Sequence, residues 1–122
     1  MKIRVAVLDR DENYKNRLLS NFQVKYADKI ELCIFSEIQQ LKSALENKKM
    51  DLILVDDDFQ IEDKLEKSAL VYLSKNMGIE ELYNCPVICK FQKIDAIYKQ
   101  ILNIYAETSS AIKLRTGENG AR

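Results

Sequence analysis

Three consecutive carboxylates, Asp56, Asp57 and Asp58, stand directly behind the apolar run Leu52-Ile-Leu-Val55. An unbroken apolar run with no polar alternation suits a parallel strand buried on both faces. The carboxyl edge of such a strand opens into the crevice where α/β proteins place their ligand chemistry. A carboxylate cluster there is either a site for a cation and a phosphoryl group or the outline of one. Function turns on which it is.

The elements that position this cluster follow from the spacing of apolar residues. Ile3-Arg-Val-Ala-Val-Leu8 is a short β-branched strand that ends at Asp9 and Arg10. From Asp11, a natural N-cap, Tyr14, Leu18, Phe22 and Tyr26 recur at i, i+4 and mark an amphipathic helix. Ile30 to Phe35 is a second strand. Ser36-Glu-Ile-Gln39 reads as a capping box that opens a helix with Ile38, Leu41 and Leu45 inward. The strand Leu52–Val55 comes next, then a fourth, Leu70–Leu73, ending at Ser74, and a fifth, Val87–Cys89, ending at Lys90. The last helix runs from about Ile94 to Ala106.

This order predicts a five-stranded parallel sheet, doubly wound and flavodoxin-like, with helices on both faces. Two connections are thin. Gln60 to Ser68 is mostly charged and too short for a full crossover helix, and Lys75 to Asn84 contains Gly78. The third and fourth helices are therefore expected to be vestigial. Beyond Glu107 the periodicity stops. Residues 1–107 read as one domain, and 108–122 as a polar linker or tail toward a further domain.

Composition removes several functions. The chain of 122 residues carries 19 basic and 19 acidic side chains, so it lacks the electrostatic footprint of a nucleic-acid binder. No apolar stretch is long enough for a membrane span or a signal peptide. Histidine is absent, which excludes His-based triads and leaves Cys33, Cys85 and Cys89 without a zinc partner. They read as reduced thiols of a cytoplasmic protein. No phosphate-binding glycine loop is present.

Asp9, Asp56, Ser74 and Lys90, each at a strand end, together resemble the receiver domain of two-component response regulators, across residues 1 to about 107. The resemblance implies a CheY-like fold with Asp56 at the phosphoacceptor position. It also implies Mg²⁺ held by acids at the end of the first strand, with the Ser/Thr and Lys stabilising the transferred group. This sequence departs from the pattern in informative places. The second acid of the first strand falls on Arg10, a fixed cation that cannot ligate Mg²⁺. It either faces solvent or pairs with Asp56 or Asp57. Val87 stands at the switch-aromatic position, and Phe91 replaces the proline after the lysine.

Asp56 thus has three readings: a phosphoacceptor, a structural carboxylate paired to Lys90 or Arg10, or a ligand of some other cation with Asp9 and Asp57. No cofactor is expected, with Mg²⁺ required only for the first reading. In the last helix, Ile94, Ile97, Tyr98, Ile101, Leu102, Ile104 and Tyr105 cover more than one face. One stripe suffices to pack a helix on a sheet. Phe91, Ile94, Ile97, Tyr98, Ile101 and Tyr105 are therefore candidates for a protein interface, with Tyr83 nearby; the bland alternative is a helix wrapped by its own neighbours.

The phrases Ala69-Leu-Val-Tyr-Leu-Ser74 and Cys85-Pro-Val-Ile-Cys-Lys-Phe-Gln-Lys93 resemble the N-terminal domain of the TadZ/CpaE group. In these pilus-assembly proteins an atypical receiver precedes a MinD/ParA-like ATPase. The resemblance implies a non-enzymatic module that dimerises or docks the ATPase at a bacterial cell pole or secretion complex. The alternative is a phosphorylatable switch.

Overall fold

The computed structural model describes residues 2–59 and 69–116, with side chains to residue 108. Among these, six strands and three helices follow the order β1 (Ile3–Leu8), α1 (Glu12–Lys25), β2 (Ile30–Phe35), α2 (Ile38–Asn47), β3 (Leu52–Asp56), β4 (Leu70–Ser74), β5 (Glu81–Leu82), β6 (Cys85–Cys89) and α3 (Ile94–Thr116). The sheet order is β2-β1-β3-β4-β6-β5, parallel except for β5. The chain moves outward from β1 to β2 and then crosses to β3. The β1/β3 boundary is therefore the topological switch point, where the carboxyl ends of the strands splay into a crevice.

Every residue of β3 and β4 is buried, as their unbroken apolar character predicts. One face of the sheet packs Val5, Val7, Leu52, Leu54, Leu73 and Ile88 against α1 and α3. The other packs Ala6, Leu8, Ile53, Val55 and Tyr72 with Leu41 of α2. Asp11 caps α1 as expected, its Oδ1 accepting the Tyr14 N–H at 3.0 Å.

Four expectations need correction. The sheet has a sixth strand, because residues 75–84 form no helix; they make a hairpin through Tyr83 (φ 52°) and Asn84 (φ 65°). Two successive positive φ values define the type I′ turn that matches strand twist, an uncommon backbone for a tyrosine. The expected third, vestigial helix falls on Gln60–Ser68, outside the described residues.

The α2 cap is displaced by one position. Glu37 is the N-cap, and Gln40 Oε1 accepts the backbone N–H groups of Ser36 and Glu37 at 2.9 and 3.0 Å. Ser36 is engaged elsewhere. Its hydroxyl donates to Glu12 Oε2 at 2.8 Å and also meets the ammonium of Lys15. Lys15 is buried in α1 and pairs with Glu12 at 3.0 Å. A lysine hidden by its stem needs such partners for its charge.

Helix α3 continues to Thr116, past the end expected near Ala106. Thr108-Ser-Ser interrupts the apolar periodicity but not the helix, since good helix formers resume at Ala111 and no glycine intervenes before Gly117. Finally, Ile97 and Ile101 are buried core residues and present no exposed interface side chain. Ile94, Tyr98, Ile104 and Tyr105 also lean against that core. The surplus apolar surface of α3 is largely consumed by α1: Tyr98 stacks on Tyr26 at 3.8 Å, and Lys25 pairs with Asp95 at 2.8 Å.

Candidate functional site

The crevice at the switch point gathers Asp9, Asp56 and Lys90, all at least nine-tenths buried. Parallel register places them together: β1 and β3 are neighbours, and the Lys90 N–H bonds the Ser74 carbonyl at 2.8 Å, which ties the end of β6 to β4. The Lys90 ammonium lies 2.8 Å from Asp56 Oδ1 and 2.6 Å from Asp9 Oδ2. The first contact is a hydrogen bond; the second is an ion pair without hydrogen-bond geometry. Burial alone would lower the affinity of Lys90 for its proton. The two carboxylates reverse this and hold its pKa above the ordinary lysine value. The same ammonium sits 4.7 Å from the centre of the Tyr14 ring, a further favourable contact for a cation.

One lysine does not neutralise two carboxylates, and backbone donors take up the remainder. Asp9 Oδ1 accepts the Asp11 N–H at 2.9 Å, and Asp56 Oδ2 accepts the Asp58 N–H at 3.1 Å. Ser74 Oγ accepts the Asn76 N–H at 3.0 Å. Three strand ends thus use one device, a side-chain oxygen turning the backbone two residues on. Each retained residue has structural work independent of any phosphoryl group.

The cavity beneath measures about 90 Å³ and is lined by Asp9, Asp11, Asp56, Asp58, Lys75 and Lys90, with Arg10 and Phe59 at its wall. It is small beside the roughly 300–1,000 Å³ of ordinary ligand pockets. Ser74 does not line it, and neither does Asp57, whose N–H bonds the Leu73 carbonyl at 2.9 Å.

Arg10 does not pair with Asp56 or Asp57. Its guanidinium lies 4.2 Å from the Phe59 ring centre and 3.5 Å from Glu37, at an exposed position. Both partners come from elements remote in sequence, so neither was legible beside Arg10. Tyr14 was read only as a packing residue. Its place in the first turn after Asp11 was the signal that it would reach Lys90.

The carboxylates of Asp56, Asp57 and Asp58 can approach within 4.8 Å of one another. Even so, Mg²⁺ does not fit this arrangement. Asp9 and Asp56 each turn one oxygen to Lys90 and the other to a backbone N–H, and Arg10 contributes a cation where a ligand would be needed.

Comparison with known structures agrees on the fold. The receiver domain of the Francisella response regulator 1452 is similar with a TM-score of 0.61 at 14% identity, covering 86% of this chain and 98% of that one. The Francisella novicida lysine decarboxylase LdcF is similar over 84% of this chain and 17% of its own, with a TM-score of 0.54 at 16% identity. No curated protein matches the sequence. The family model for the TadZ-like receiver domain matches residues 1–106, and the chain belongs to that family.

Proposed function

We propose that this chain is a non-catalytic interaction module, a receiver domain whose phosphorylation pocket has become structural. It works by self-association and by docking a linked MinD/ParA-like ATPase during pilus assembly or secretion. The observation that carries this reading is the Lys90 ammonium closed between Asp9 and Asp56. The cation occupies the carboxylate oxygens that a metal would need. The backbone turns at Asp9, Asp56 and Ser74 account for the retention of these residues without chemistry.

In this reading the chain is not an enzyme and uses no cofactor or metal. Its partners are proteins, in keeping with its balanced charge, and not nucleic acid. Among the described residues no helix is long and apolar enough to cross a membrane. The setting is the bacterial cytoplasm, with recruitment to a pole or secretion complex through the partner.

A second reading keeps Asp56 as a phosphoacceptor, favoured by its direct contact with Lys90. Exposure to a small phosphodonor with Mg²⁺, followed by intact mass measurement, separates the two.

A further inference from the structure

Beside the buried triad, between α1 and the segment joining β6 to α3, runs an open groove of about 420 Å³. Its floor is apolar: Leu18 and Ile97 are buried, and Ile94 is half-buried. Phe91 forms one wall. It is 54% exposed and stands edge-on to Tyr14, with ring centres 6.2 Å apart.

Two observations mark the groove as more than a crease. Tyr14 lines it and is only 4% exposed, yet its hydroxyl is buried with no hydrogen-bond partner. A buried hydroxyl left unsatisfied carries a desolvation cost that an acceptor reaching it from the groove would recover. Charge is the second. Arg17, Lys90 and Lys93 line the groove and no acid does, although the chain as a whole is balanced. Lys90 is neutralised by the triad, whereas Arg17 and Lys93 are exposed and form no ion pair with a described residue.

We propose that this groove binds an acidic peptide segment of a partner protein. The segment seats a bulky apolar side chain against Phe91, offers an oxygen to the Tyr14 hydroxyl, and places carboxylates near Arg17 and Lys93. The groove is open along its side, which suits an extended chain crossing it better than an enclosed small molecule. Charged rim and apolar floor divide the labour as in other interfaces, the rim steering and the floor anchoring. Lys90 lines both the groove and the triad's cavity, so an occupant touches the wall they share. This inference rests on the reading of the chain as a protein-interaction module.

The test is titration of the ¹⁵N-labelled chain with an equimolar pool of hexapeptides, acidic at every position but one bulky apolar residue. Two counterpart pools carry lysine for the acids, or alanine for the apolar residue. The expected result is amide shifts confined to Tyr14, Arg17, Phe91, Lys93 and their neighbours, with the acidic apolar pool only. Arg17→Glu combined with Lys93→Glu should weaken binding at least about tenfold at unchanged melting temperature. Tyr14→Phe should weaken binding without loss of stability, since the hydroxyl it removes has no partner in the free protein. No shifts at millimolar peptide, shifts elsewhere, or equal response to the lysine pool would overturn the proposal. A chain that resists phosphorylation but ignores the acidic pool loses this groove and keeps its role as an interaction module. One that binds the pool but is phosphorylated on Asp56 does the reverse.

Discussion

The Lys90 ammonium lies 2.8 Å from Asp56 Oδ1, and both side chains are almost wholly buried. In a buried pair the members depend on each other more than the fold depends on the pair. Lys90→Met should therefore destabilise the protein by about 3–5 kcal/mol, because it strands two carboxylates. Adding Asp9→Asn and Asp56→Asn to that variant should recover much of the loss in urea unfolding.

The strand-end turns predict a ranking at Asp56. Asparagine can still accept the Asp58 N–H, whereas alanine cannot. Asp56→Asn should lose the ion pair alone, and Asp56→Ala should lose the turn as well, with a further destabilisation of about 1 kcal/mol. Equal costs for the two variants would remove the structural role assigned to this carboxylate.

Alkaline unfolding should carry the signature of Lys90. Its pKa is raised, so its stabilising contribution is complete below the ordinary value of 10.5 and disappears as pH climbs through the raised value. The stability difference between wild type and Lys90→Met should be constant from neutral pH to about 10 and shrink above that. A difference that already declines near neutrality would contradict the triad.

The contact between α1 and α3 has its own titration. Tyr26 donates to Asp95, and this hydrogen bond, with some burial, pushes its phenol up to about 12. Ring-carbon resonances should show Tyr26 titrating well after an ordinary tyrosine, and Asp95→Asn should bring it back down. As the phenol ionises it repels Asp95, so this latch between the helices opens only at the alkaline extreme.

Much of the fold could be read in advance, since buried parallel strands such as Leu52–Val55 and Leu70–Leu73 leave continuous apolar runs that helices do not mimic at that length. The helix that follows Asp11 was equally plain from its cap and its four-residue spacing. What escaped was information held between elements. The period of α3 shows that Ile97 and Ile101 share a face, but only the packing of α1 shows that this face is covered. Likewise, Arg10 is visibly wrong for a metal ligand, while its partners Phe59 and Glu37 come from two other loops. The hydroxyl of Ser36 was claimed by Glu12 and Lys15 across a long sequence gap, which moved the α2 cap by one residue.

Packing separates core from surface along the last helix and the segment before it. Ile101→Ala should cost about 2–5 kcal/mol in equilibrium unfolding, as a fully buried side chain does. Phe91→Ser should change stability by no more than about 1 kcal/mol, because half of its ring faces solvent. Any effect of Phe91→Ser on sedimentation or partner binding then reports a surface and not the fold.

A structural Asp9–Lys90–Asp56 arrangement leaves Asp56 unable to serve as a phosphoacceptor. This is tested most directly by incubating the chain with a small phosphodonor and Mg²⁺ and measuring its intact mass. An unmodified chain is expected under conditions that phosphorylate an ordinary receiver. A single phosphoryl adduct on the wild type, lost in Asp56→Asn, would contradict that expectation.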